Sequence, residues 1–213
     1  MNMKSIVSSI SLLLLLALTA TAQSKTYTIS SSESNFRVLV GKAGLFSGLA
    51  HDHEIGVKSF SGQVTLPRAG AGSGSLVLEI DAKSLAVLDK EPSEEDRKKI
   101  FASMHNEVLE SSKYEKITFK SVSVSDLKQT GGNTYGFVLN GDLSLHGVTK
   151  RIAVPVSLTV APQQLRASGQ YTLKQTDYGI KVYSAMGGTV KVKNDVVVQF
   201  DIVAKTSLQD KKR

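Results

Sequence analysis

The chain has 213 residues, 26 Lys and Arg against 19 Asp and Glu, a formal net charge of +7, and neither Cys nor Trp. The absence of cysteine excludes disulfides, thiolate chemistry and Cys-type metal sites, so the core must hold by packing alone. The basic excess does not point to nucleic acid: aromatics are 6% of the chain and the one basic cluster is Lys211-Lys212-Arg213, whereas a nucleic-acid groove needs basic residues interleaved with aromatic platforms. The charge reads as solubility with a transient attraction to anionic membrane surfaces.

Residues 1–22 read as a secretory signal peptide. Lys4 forms a short basic region, an apolar run extends from Ile10 to Leu18, and Ala20-Thr21-Ala22 supplies the small residues of a cleavage site. The run is shorter than the roughly 20 residues that a membrane span requires. The expected location is the periplasm, with full secretion as the alternative.

From residue 23 to 206 the dominant signal is a period of two, the mark of strands with one buried face. Phe36, Val38 and Val40 share a face, as do Phe60, Val64 and Leu66, then Leu76, Leu78 and Ile80. Gly-rich stretches at 69–74 and at Gly131-Gly132-Asn133 mark turns. Ser93-Glu94-Glu95-Asp96 places a capping hydroxyl before acidic residues, and Ile100, Phe101, Met104 and Val108 follow at helical spacing. This predicts one amphipathic helix over about Ser93 to Glu107, packed on or across the sheet.

The strongest pattern is NGDLSLHGVTKRIAVPVSLTV, 140–160. Apolar residues fall at odd positions up to Leu145 and at even positions from Ile152, so two antiparallel strands meet at a tight turn, His146-Gly147-Val148-Thr149. Pro155 cannot donate to a ladder and marks a bulge or an edge. Leu165 to Leu173 and Val196 to Ala204 repeat the alternation. The expectation is therefore an all-β domain, an antiparallel barrel of about eight strands with one inserted helix, followed by a basic tail at 207–213.

A barrel of this size either fills with side chains or holds one slender ligand. Gly62, Gly141, Ala167, Gly169 and Ala204 face inward and fill little space, which leaves room for an apolar cavity. The competing reading is that these glycines serve curvature and their neighbours fill the gap. The residues expected to line a cavity are Phe36, Val38, Phe60, Leu78, Ile80, Phe119, Phe137, Leu143, Leu145, Ile152, Val154, Tyr171 and Phe200.

Polar candidates cluster elsewhere. In His51-Asp52-His53-Glu54 an extended backbone projects His51 and His53 from one face, suited either to a ligand head group at the barrel mouth or to a divalent metal, with His105, His146 or a carboxylate as third ligand. Tyr178 and Tyr183 are further mouth candidates. Asp142, Ser144 and His146 lie on one strand face, but side chains two apart are separated by roughly 6.6 Å, too far for a hydrolytic relay. No catalytic residues are assigned, and His146 is expected to support its turn.

The stretch GDLSLHGVTK, together with SNFRVLV near the start, VLESSKYEKITFKS after the helix and TDYGIKVYSAMGGTVKVKNDVVVQFDIVA at the end, resembles the YceI-like family over about Thr26 to Thr206. That resemblance implies a lipocalin-like barrel binding a polyisoprenoid or similar long-chain lipid inside it, without catalysis and with no cofactor beyond that lipid. Two alternatives stand beside it: a metal-binding protein using the His51/His53 segment, and a stress-related interaction module with the barrel as scaffold.

Overall fold

A strand with one apolar face must hide it, and a set of such strands does so by closing on itself or by packing against a second sheet. Here they close. The structure, a computed structural model, describes residues 24–43, 52–67, 71–185, 187 and 190–206. The expected signal peptide, the basic tail and His51 lie outside the described residues.

The strands are β1 (Lys25–Ala43), β2 (His53–Val57), β3 (Phe60–Leu66), β4 (Ser75–Asp81), β5 (Leu85–Val87), β6 (Lys116–Gly131), β7 (Thr134–Leu145), β8 (Val148–Val160), β9 (Gln164–Lys174), β10 (Ser184–Ala185) and β11 (Val190–Lys205). Hydrogen-bonded neighbours run β10-β11-β9-β8-β7-β6-β4-β3-β1-β2-β5, and β1 also pairs with β11. Strands β1, β3, β4, β6, β7, β8, β9 and β11 thus form a closed, antiparallel, eight-stranded barrel.

The long first strand changes partners. Lys25–Thr28 pairs with β3, whereas Arg37–Val40 pairs with β2. Between them the register with β11 shifts at Ser30/Asn35. The Ser34 hydroxyl accepts from the Val203 amide at 2.9 Å and donates to the Ser30 carbonyl at 2.6 Å, filling the ladder where the backbone bends away. Strand β5 pairs with β2 and ends the order on that side.

The β7–β8 hairpin follows the expected alternation in unbroken register from Thr134↔Thr159 to Leu145↔Val148. Its turn has positive φ at His146 (52°) and Gly147 (76°), the combination that suits the twist of a two-residue hairpin. Pro155 stays in register with Val138, so it makes no bulge there. The β8–β9 ladder covers Ser157–Val160 against Leu165–Ser168 and stops short of Pro155, which cannot extend it.

The helical segment departs from expectation. Ser93 accepts from the Asp96 amide as the N-cap of α1 (Glu94–Ser103), as its sequence predicts. Yet no α1 side chain is buried, and Phe101 is 44% exposed. The chain then widens into a π turn over Met104–Val108, with Leu109 N–H bonded to the Met104 carbonyl. That turn carries the inward residues: Met104 and Val108 face the barrel interior while Phe101 stacks on the His105 ring at 4.2 Å. The helix itself therefore stays exposed, and the residues that reach the core belong to the π turn that follows it.

Candidate functional site

The barrel encloses a cavity of about 300 Å³, roughly twenty times the space that one water needs. Apart from Ser75, Thr118, Gln175 and the phenol of Tyr171, its walls are apolar or glycine. Of the residues expected to line it, Phe36, Val38, Leu78, Ile80, Phe119, Phe137, Leu143, Leu145, Ile152, Val154, Tyr171 and Phe200 all do so. Phe60 does not. It is buried at 7% exposure behind Phe36, which meets it edge-on at 5.6 Å and takes the wall position. Val196, Val198, Ile202, Met104, Val108 and Leu109 complete stretches of wall that were not singled out from the sequence.

The inward glycines do not create the space by being empty. A Cβ on Gly141 would lie 2.3 Å from the Phe119 ring, and one on Gly169 would lie 2.7 Å from the Phe200 ring. On Gly62 it would meet the Val77 carbonyl at 2.4 Å and the Ile29 side chain at 2.8 Å. Their neighbours already occupy the room that these glycines leave, as the filled-gap reading holds. The cavity survives because the two phenyl rings lie against the strand backbone, where a side chain would otherwise push them inward.

A second space of about 230 Å³ adjoins the first: Val40, Ile55, Met104, Val108 and Gln175 line both. This vestibule is the polar part of the site, with His53, Asp96, Lys99, Ser103 and Tyr183 in its wall. His53 Nδ1 lies 2.6 Å from Asp89 Oδ2, and Asp89 Oδ1 accepts from the Glu54 amide at 2.7 Å. Both side chains are largely buried, at 18% and 8% exposure. Asp89 was missed in the sequence because it lies 36 residues from His53. The signal existed in the antiparallel register: β2 pairs with β5 as Ile55↔Val87, and continuing that register by two residues sets His53 opposite Asp89.

Gln175, also missed, is 6% exposed and donates through Nε2 to the Lys193 carbonyl at 2.8 Å. Lys99 is held by Glu95 at 2.8 Å and by Asp96 at 3.7 Å.

Tyr183 lines the vestibule, whereas Tyr178 does not. It is 2% exposed in a cluster with Leu145, Leu173, Ile180 and Val196. Gly179, at φ 68°, ends the short helical turn that carries it, and the Tyr178 carbonyl is bound by His146 Nδ1 at 3.2 Å. Its hydroxyl has no hydrogen-bond partner among the described residues. Burial pushes its phenol up to about 12, with lesser contributions from Tyr171 and Asp177. The Tyr171 phenol is raised as well, mainly by burial.

The other two histidines cannot complete a metal site with His53. His105 bonds the Ser111 hydroxyl at 2.8 Å and the Leu85 carbonyl at 3.0 Å, anchoring the π turn to the outer edge of β5. His146 bonds the Tyr178 carbonyl and, through Nε2, Glu110 at 2.8 Å, with the Tyr114 ring 4.2 Å away. Both rings have both nitrogens occupied. Among the described residues no group of three or more His, Asp or Glu side chains could hold a metal ion. Asp142 and Ser144 are taken up on the outer face, Asp142 by Arg151 in a two-bond pair and Ser144 by Thr149 at 2.6 Å.

Comparison with known proteins agrees with this architecture. Residues 27–204 match the YceI-like domain. A UPF0312 protein of Vibrio cholerae serotype O1 is 33% identical over 132 residues, 59% of this chain and 64% of its own length, so the chain spans just under two thirds of the curated relatives it matches. Among solved structures, Burkholderia cenocepacia BcnA superposes with a TM-score of 0.64 at 21% identity, covering 83% of this chain and 99% of its own. A polyisoprenoid binding domain from Saccharophagus degradans, implicated in plant cell wall breakdown, superposes with a TM-score of 0.62 at 15% identity, covering 85% and 98%.

Proposed function

The chain belongs to the YceI-like family, and from that premise we propose that it is a non-enzymatic binding or carrier protein for a polyisoprenoid or similar long-chain lipid, working in the periplasm after export. The observation that carries this reading is the closed barrel around an apolar cavity with a polar vestibule at one side. The description of the Saccharophagus degradans neighbour as a polyisoprenoid binding domain supports it.

Burying apolar carbon gains about 0.8 kcal/mol per methylene, or on the order of 4 kcal/mol per five-carbon prenyl unit relative to water. A membrane offers nearly the same gain. Net preference for the protein must then come from shape and from contacts to the head group, and a carrier exchanging its ligand with a membrane needs that difference to be small. Native mass spectrometry of protein purified from its own host, followed by lipid extraction, tests the proposal. The expected result is a bound species with a long apolar chain; protein that is ligand-free and takes up no long-chain lipid in reconstitution would overturn it.

A further inference from the structure

We propose that the outer face of β4 and β6, towards the barrel end away from the vestibule, is a membrane-docking surface on which exposed apolar side chains and the lysines among them engage a bilayer containing anionic lipid. This goes beyond the carrier reading and does not depend on what the lumen holds.

The first argument is the apolar patch. Among the described residues five large apolar side chains are exposed, and three of them, Val77, Val122 and Leu127 at 53%, 53% and 42%, fall on β4 and β6. Val77 pairs with Lys120. Continuing that register by two residues sets Val122 opposite Ser75 on the same outward face, diagonal to Val77 at the roughly 7 to 8 Å of such cross-strand neighbours. Leu127 lies over the short turn that leads into β4, where a Cβ on Gly72 would sit 3.3 Å from its Cδ2. Strand β6 presents both of its apolar residues by breaking register with β7. Val122 is the extra residue at the Ser121/Ser123 shift, and at the Ser125/Lys128 shift Asp126, at φ 54°, and Leu127 together oppose Phe137. Bulges re-aim side chains, and these two turn out the apolar residues. Exposed apolar residues scattered singly are ordinary, whereas a group rimmed by polar residues marks an interaction surface.

The second argument is charge and position. Lys120 and Lys128 flank the patch, and neither is in an ion pair with a described residue. The carboxylate across the ladder from Lys120, Asp142, is held by Arg151, which leaves Asp126 as the acid within the patch. Lys25 pairs with Leu66 at the same barrel end, and the last described residue, Thr206, is fixed there by the Gln163 carbonyl. The residues that follow, with Lys211-Lys212-Arg213 against Asp210, therefore set out from that end. The apolar lining of the cavity also reaches it, at Leu66, Gly74 and Val124. Lysine stems lie along apolar surface while their ammonium groups reach the phosphate layer, and basic residues near an anionic leaflet reinforce shallow apolar insertion. Three apolar side chains on a barrel wall fall far short of the roughly 800 Å² per partner of a standard protein interface, whereas a bilayer needs no matching surface.

The chain from Gln23 to Arg213, which holds the whole barrel and leaves out the apolar run that would itself bind lipid, is tested by co-sedimentation with two kinds of vesicle: phosphatidylcholine alone, and phosphatidylcholine with an equal part of phosphatidylglycerol. It is expected to bind the second far more tightly. Lys120→Gln with Lys128→Gln should weaken that binding about twentyfold, at about fivefold for each charge removed, and Val122→Ser with Leu127→Ser should weaken it as well. Lys58→Gln with Lys90→Gln, exposed lysines towards the vestibule end, should leave it unchanged. The chain has no cysteine, so a polarity-sensitive fluorophore attaches at one chosen site: in Leu127→Cys its emission should shift to the blue on the anionic vesicles, and in Lys58→Cys it should not. Denaturation midpoints near the parent's show that a loss of binding is not unfolding, and if a double variant does unfold, the two labelled variants decide. No preference for the anionic vesicles, equal losses in the two lysine pairs, or equal shifts of the two labels overturns the docking surface, even if a partner protein is then found on this face. The carrier reading is tested separately, by what co-purifies, and stands in either case.

Discussion

Tyr178 shows what a single buried atom contributes. Its hydroxyl sits in an apolar cluster and has no partner among the described residues, so Tyr178→Phe is expected to stabilise the protein by about 1 kcal/mol, read from chemical denaturation at neutral pH. The titration of this group has a definite sign. Its folded-state pKa is raised to about 12 from 10.0, so the stability tied to the neutral phenol is fully present below about pH 10 and is lost as pH rises towards 12. The loss is on the order of 2 kcal/mol, and denaturation midpoints measured between pH 9 and 12 should fall less steeply in Tyr178→Phe. Tyr178 and His53 also mark the limits of reading single residues. Alternation puts His53 on the same face as Ile55, and that face is right. The burial of Tyr178 depends on Gly179 turning the chain, and the role of His53 depends on a carboxylate delivered by another strand.

At the scale of elements, the strands were far more legible than the helix. Strand periodicity is local and repeats many times, whereas the path after Ser103 is set by a π turn that no residue in MHNEV announces. The turn rotates Met104 and Val108 inward and leaves α1 outside. What holds it is His105, with one nitrogen on Ser111 and the other on the Leu85 carbonyl at the open edge of β5. His105→Ala removes both bonds and leaves a buried carbonyl unpaired, so a destabilisation of about 2 to 3 kcal/mol is expected in urea unfolding. His105→Asn restores part of it by keeping a donor. Bends were equally hidden: SSSES in β1 carries no apolar alternation, and only the Ser34 bonds to Ser30 and Val203 show where the strand turns.

For the whole molecule, the need to hide the apolar faces of the long strands follows from the sequence, and the structure meets it by closing the sheet on itself. The width of the lumen does not follow, since it depends on how rings settle against glycines across the sheet. Gly141→Ala and Gly169→Ala are expected to drive Phe119 and Phe200 into the lumen, since the added carbon would sit 2.3 and 2.7 Å from those rings. Each should cost about 1 to 3 kcal/mol, and the double variant should bind a saturated C20 hydrocarbon, phytane, less well than the parent protein by calorimetry. A parent-like affinity would mean that the lumen is not the binding space. The outer face obeys simpler rules. Cross-strand pairs such as Arg166 with Asp201 and Arg151 with Asp142 hold those carboxyls below their usual range through hydrogen bonds to the guanidinium. Being exposed, they contribute little to stability.

The change of partners along β1 has a kinetic consequence. Around most of its circumference the barrel wall is a continuous ladder, which opens only by breaking many backbone bonds together. Among the described residues no strand follows β5, and Met104, Val108 and Leu109, side chains of a turn pinned at one histidine and one glutamate, line the cavity. Local opening free energies run from near zero up to the global value within one protein, and this panel belongs at the low end. Amides of 104–110 should exchange with deuterium faster than those of β9 and β11, and the difference should shrink when the lumen is filled, because the side chains of this turn line it.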